Sequence, residues 1–107
     1  MKNRQLRQGD VLVIEGAGKK TAAHKAVKDT RGAVLAEGEA TGHHHRIERG
    51  ATLLRAEGVN DALLVVDVSG LLVHEEHGSI EIGGGSHVVR RQREYAWAEK
   101  SSRPVVD

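Results

Sequence analysis

Short apolar runs rich in β-branched residues recur along this chain at nearly even spacing, glycines divide them, and no long helical periodicity interrupts the pattern. Runs of that kind are too brief for helices and suit pleated sheets, where branched side chains pack well. Residues 11–14, 33–36, 51–55, 62–68, 71–74 and 79–82 are the candidates. Their spacing predicts an all-β fold, a small single-domain barrel or sandwich. Thirteen glycines against one proline supply turns and leave no proline-rich linker.

Several details follow from that reading. Residues 7–10, Arg-Gln-Gly-Asp, are expected to turn the chain into the first strand. Residues 62–68 form the longest apolar run, expected as a central strand covered on both faces. Ser69-Gly70 is expected to turn, and Gly83-Gly84-Gly85 to close a hairpin, because glycine takes the positive φ angles such turns demand. The return strand would run over 86–97. Between 21 and 31, one helical turn capped by Thr21 is possible, although a solvated connection fits the lysines better. The 107 residues make one domain, ordered over about 7–98 with a polar tail at 99–107.

Composition excludes several function classes. Sixteen basic and fifteen acidic residues leave a net charge of +1, which is no footprint for nucleic acid or membrane. The absence of cysteine removes disulfides, thiolate metal sites and redox pairs. No apolar run approaches the ~20 residues of a membrane helix, and no apolar signal segment opens the chain. A soluble cytoplasmic protein is the expectation.

The chemistry lies in the histidines. Five of the seven fall in two short segments, His43-His44-His45 and His74-Glu75-Glu76-His77. Side chains alternate faces along a strand, so His43 and His45 are expected on one face and His44 on the other. Two imidazoles at that spacing can reach one cation, and imidazole suits Zn, Cu, Fe or Ni. His74 and His77 would share a face only if Glu75-Glu76 forms a tight turn, which Gly78 favours. The predicted metal ligands are therefore His43, His45, His74 and His77, around a divalent metal (Zn, Fe, Ni or Mn) with a position open to water. Glu37, Glu39 and Glu48 are the carboxylates expected to orient an imidazole or complete the shell.

Other residues carry weaker signals. His24 and His87 are expected to be exposed. Gly16-Ala17-Gly18-Lys19-Lys20-Thr21 imitates a phosphate loop but fails its spacing. Tyr95 and Trp97 share a face and are expected to pack beneath an edge. Arg90, Arg91 and Arg93 read as a solvated face or subunit contact. Glu75 and Glu76 are adjacent and diverge on a strand, so no cooperating acid–base pair is expected, and no Gly-x-Ser-x-Gly elbow occurs.

Over residues 36–90 the segment His43-x-His45 with Glu48 and Gly50, followed by a third histidine and a glycine-turned hairpin, resembles the metal strand of small cupin-like β-barrels. The spacing is tighter than in that family, and its Pro-x-Gly before the last histidine has no counterpart here. The chain as a whole resembles a group of short uncharacterised bacterial and phage-associated proteins. Four blocks carry that likeness: Arg7 to Asp10, Gly38 to His45, His74 to His77, and Arg91 to Tyr95. The first resemblance implies a cupin-like layout around a metal, and the second implies membership without an activity. Two functions remain in view: a metalloenzyme that activates water or handles O₂, and a non-enzymatic binding or assembly module. Nucleic-acid binding through Lys19, Lys20, Lys25, Lys28 and the terminal arginines is a third, less favoured idea. A homo-oligomer is expected, because small β folds often protect edge strands by pairing between chains.

Overall fold

The computed structural model describes residues 3–38 and 42–91. Eight strands and no helix make it up: β1 (Gln5–Gln8), β2 (Val11–Ile14), β3 (Lys25–Ala26), β4 (Ala33–Glu37), β5 (His44–Ile47), β6 (Ala51–Arg55), β7 (Ala62–Val73) and β8 (Ile80–Arg91). All pairings are antiparallel within one sheet, which runs β1-β2-β8-β7-β5-β4. β6 also pairs with β7 and carries β3 on its other edge.

β7 is the hub of this arrangement. β8 lies along one edge from Ala62 to Leu72. The other edge is divided, with β6 taking residues 63–66 and β5 taking Leu72 and Val73. Such branching makes the sheet curl. Val11 and Val13 of β2, Ala33 and Leu35 of β4, Leu53 of β6 and Ile82 of β8 consequently all join one buried cluster. Ile47, Leu64 and Leu72 are among its largest fully buried side chains. No pairing joins β1 to β4 among the described residues, so the curled sheet is not closed.

Two predicted turns are strand interior. Ser69-Gly70 does not reverse the chain: 62–68 and 71–74 belong to one strand, β7, that ends at Val73. Gly83-Gly84-Gly85 is no hairpin, and the segments on either side of it are halves of β8. Glycine has a different purpose at these places. Val66 pairs with Gly85 and Ser69 with Gly83, so Asp67 and Val68 face Gly84 alone, which is a β-bulge. A Cβ on Gly84 would lie 2.9 Å from the Val68 carbonyl oxygen and 3.0 Å from that of Asp67. On Gly70 it would meet Ile47 Cγ2 at 2.9 Å. These glycines admit close backbone and side-chain approach, the other standing reason for glycine in a strand.

Smaller differences have similar causes. Arg7 and Gln8 belong to β1, and only Gly9 and Asp10 turn. The 21–31 connection carries the two-residue β3 and turns, with no helical turn. β7 is covered on both faces at Ala62, Leu63 and Leu64, but Asp67 and Val68 are exposed. Tyr95, Trp97, Arg93 and the 99–107 tail lie outside the described residues.

Candidate metal centre

The β5–β7 register builds the site. Arg46 pairs with Val73 and Ile47 with Leu72. Continued past the end of β7, the same register sets His45 opposite His74, His44 opposite Glu75 and His43 opposite Glu76. Contacts follow that order. The His45 and His74 rings stack with centroids 4.2 Å apart. His44 Nδ1 and Glu75 Oε2 are 3.6 Å apart, as are His43 Nδ1 and Glu76 Oε2. The Gly38 amide donates to the His43 carbonyl at 2.8 Å, which carries the β4–β5 pairing through His43.

Alternation along β5 sends His45 and Ile47 inward and leaves His44 and Arg46 half-buried on the other face. His43 stays with the inner group, its ring edge-on to His74 at 5.7 Å. β4 contains one extra residue between its pairs Val34–Arg46 and Ala36–His45. That bulge at Leu35 sits beside His45, and it lets Leu35 and Ala36 both be buried.

Residues 75–77 bend sharply, so His77 returns to the same side as His74, with ring centroids 4.7 Å apart. His77 also lies parallel to His45 at 5.9 Å. Gly9 makes room for it. A Cβ there would lie 2.8 Å from His77 Nε2 and 3.3 Å from His45 Cε1, and the Gly9 φ of 59° already favours glycine. Strand pairing and one bend thus make the four rings neighbours, and of the four, His43 and His74 bring ligand atoms into one group, with Glu75.

His45 is the best-defined member. It is 4% exposed and rests against Gln8, itself 2% exposed. The Gln8 Nε2 donates to the Leu72 carbonyl at 3.0 Å and to the Gly78 carbonyl at 2.8 Å. Both amide protons are then used, which fixes Oε1 as the atom facing His45 Nδ1 at 2.8 Å. Nδ1 must donate there, so in the neutral ring Nε2 keeps its lone pair. Metal-binding imidazoles are held in this way, with the second nitrogen donating to an oxygen. Nε2 faces Asp10 Oδ1 at 3.6 Å, and Asp10 Oδ2 accepts from Arg91 Nε at 2.6 Å.

Electrostatics favour the neutral form of His45 and His74. Burial, helped by the neighbouring His74, lowers the His45 pKa to about 4 against the opposing pull of Asp10. Burial and His77 push His74 down as well. The Glu75 carboxyl is held at about 2, chiefly by the His44 amide that donates to Oε1 at 3.0 Å. His43, His74 and Glu75 offer ligand atoms that all lie within 4.8 Å of one another, close enough to hold a metal ion.

The carboxylates differ from expectation. Glu37 pairs with Arg31 at 2.7 Å and lies across from His44, and Glu48 pairs with Arg46 at 3.3 Å; neither belongs to the His43–His74–Glu75 group. Glu39 lies outside the described residues. The nearby acids are Glu75, Glu76 and Asp10, none of them among the expected carboxylates. His87 is also corrected. It is 2% exposed, with Nδ1 accepting from the Gly16 amide at 2.9 Å and Nε2 donating to the Gly83 carbonyl at 2.7 Å. It pins the false phosphate loop to β8, and Gly18 of that loop packs against Leu63. His24 closes its own turn through Thr21, whose amide donates to its Nδ1 at 3.0 Å. Arg90 and Arg91 are engaged within the chain, with Asp61 at 2.9 Å and Asp10 at 2.6 Å.

The fold and site thus define a small all-β protein with a histidine-rich strand-end cluster, and among the described residues no helix is long and apolar enough to cross a membrane. Residues 7–92 match a family described as a domain of unknown function, DUF8820, and the chain belongs to that family. No curated protein and no solved structure matches it.

Proposed function

We propose that this protein binds one divalent metal ion at the strand-end cluster, through imidazoles drawn from His43, His45, His74 and His77 with Glu75 as the carboxylate. The observation that carries this reading is the pinning of His45. A buried imidazole whose Nδ1–H is consumed by a fully committed glutamine keeps its Nε2 lone pair, beside Asp10 Oδ1 and next to the stacked His74 and His77 rings, while His43, His74 and Glu75 bring ligand atoms within 4.8 Å of one another. The nitrogen and oxygen donors suit Zn, Fe, Ni or Mn. Three or four histidines with a carboxylate fit a centre that keeps a position open for water, so a small metalloenzyme acting through a bound water is the activity we favour. On this reading the curled sheet is an incomplete, cupin-like barrel with the ion at one mouth.

A second reading is an assembly module, supported by Val68 and Leu71 of β7, which are 83% and 53% exposed. Apolar side chains so placed suit contact with a second copy of the chain. Sedimentation of wild type and Val68→Asp would separate the two: a dimer lost in the variant supports assembly.

Elemental analysis of protein purified without an affinity tag tests the metal directly. Metal should accompany the wild type and be lost from the His43→Ala/His45→Ala variant. Equal content in the two would remove the site.

A further inference from the structure

We propose that a cavity between β4 and the C-terminal end of β8 binds a small organic carboxylate, gripped at its charged end by Arg55 and Arg91. The cavity measures about 510 Å³ and is walled by Val34, Leu35 and Val89. That volume suits a small molecule, for which pockets run roughly 300–1,000 Å³. Arg55, Arg91 and Asn60 supply its polar lining. Glu37 also lines it, but Arg31 holds that carboxylate at 2.7 Å, so it opposes an incoming anion weakly.

The two guanidiniums differ in a useful way. Arg91 is fixed by Asp10, which takes its Nε, and its two terminal nitrogens make no other hydrogen bond with described residues. They form the fork that matches a carboxylate. Arg55, exposed at the end of β6, makes no ion pair with any described residue. Apolar walls beside paired cations favour an organic acid over a bare inorganic anion, since the walls can cover a hydrocarbon body but cannot solvate a second charge.

The cavity and the histidine cluster share a partition. Ala36 lines the cavity and pairs with His45 in the β4–β5 ladder, while Arg91 reaches His45 through Asp10. A carboxylate seated here would lie one side chain away from the proposed metal. The inference goes beyond the metal reading and stands without it, because none of the gripping residues is a metal ligand.

Phenylacetate is a suitable probe, titrated into chelator-treated protein while the methyl resonances of Leu35 and Val89 are followed by NMR. Phenylacetate should bind about tenfold or more tightly than neutral phenylacetamide, as the loss of charge-assisted hydrogen bonds requires. It should also exceed acetate and inorganic phosphate. Arg55→Gln, an exposed change that leaves the core intact, should weaken it about tenfold, and Arg55→Lys should restore part of the loss. The His43→Ala/His74→Ala variant should bind it as the wild type does. Equal binding of acid and amide, phosphate outcompeting phenylacetate, or an unaltered Arg55→Gln would overturn the assignment. So would loss of binding confined to the histidine variant, which would move the anion to the cluster.

Discussion

His45 and His74 stand opposite one another across the β5–β7 ladder, their rings stacked at 4.2 Å with 30° between the planes. Two imidazoles so placed cannot both carry charge without repulsion, and both are pushed toward the neutral, metal-binding form. The register that aligns Ile47 with Leu72 in the core aligns the two histidines at its end. A slip of one residue would turn His45 outward and Ile47 with it. Burial of Ile47 therefore stabilises the geometry of the site.

Gln8 joins the two strands at this point. Replacing it by alanine removes three hydrogen bonds and leaves the Leu72 and Gly78 carbonyls without their donor. The expected cost is about 2–4 kcal/mol in urea unfolding. Metal affinity should fall roughly 10- to 100-fold, the usual effect of removing a group that orients a ligand. Unchanged affinity in the folded variant would deny Gln8 that role.

Stability should depend on pH in a definite window. His45 has a folded pKa of about 4, against an unfolded value near 6.5. Between them the unfolded chain binds a proton that the folded protein does not, so stability rises with pH across that range. From this group, nothing is lost above 6.5 and no further loss accrues below 4; the total is roughly 3 kcal/mol. Asp29 and Glu75, each lowered to about 2, lose their contributions only at lower pH. Urea titrations of metal-free protein at pH 7 and pH 5 should therefore show a drop that shrinks in His45→Asn.

Metal loading should register at Glu76. Its amide donates to His74 Nδ1 at 3.0 Å, which places the neutral ring's proton on Nε2. Coordination through either nitrogen breaks that bond, since Nδ1 is then occupied or protonated. On zinc addition the Glu76 amide resonance should move and its hydrogen exchange should quicken, while the His45–Gln8 bond persists. A Glu76 amide indifferent to zinc would place His74 outside the shell.

Gly32 tests the packing of β4 on β5. Its φ is 108°, and an added Cβ would run into the Ile47 carbonyl oxygen and the Glu48 backbone. Backbone cannot yield as a flexible side chain can, so Gly32→Ala should cost more than about 2 kcal/mol by thermal or urea unfolding. A loss under 0.5 kcal/mol would contradict the packing described.

The sequence made local features legible and hid distant ones. The all-β class follows from short branched runs, and the shared face of His43 and His45 from a period of two, both properties of neighbouring residues. Gln8 and Asp10 lie more than thirty positions from His45, and only the β1–β2 turn brings them in, so no spacing rule could have nominated them. The Gly83–Gly85 segment misled because glycine serves both hairpins and bulges, and only the partner strand decides which. His87, expected to be exposed just beyond such a turn, is instead buried within β8. Glu75 joins the site through its cross-strand position opposite His44, a long-range pairing that spacing within residues 74–77 does not reveal.

The most direct test of the central claim is calorimetric titration of zinc into tag-free, chelator-stripped protein, wild type beside His45→Ala/His74→Ala. Convergence of those two rings on one ion predicts a single ion per wild-type chain and binding weaker by about 100-fold or more in the folded double variant. The same stoichiometry and affinity in both proteins would contradict it.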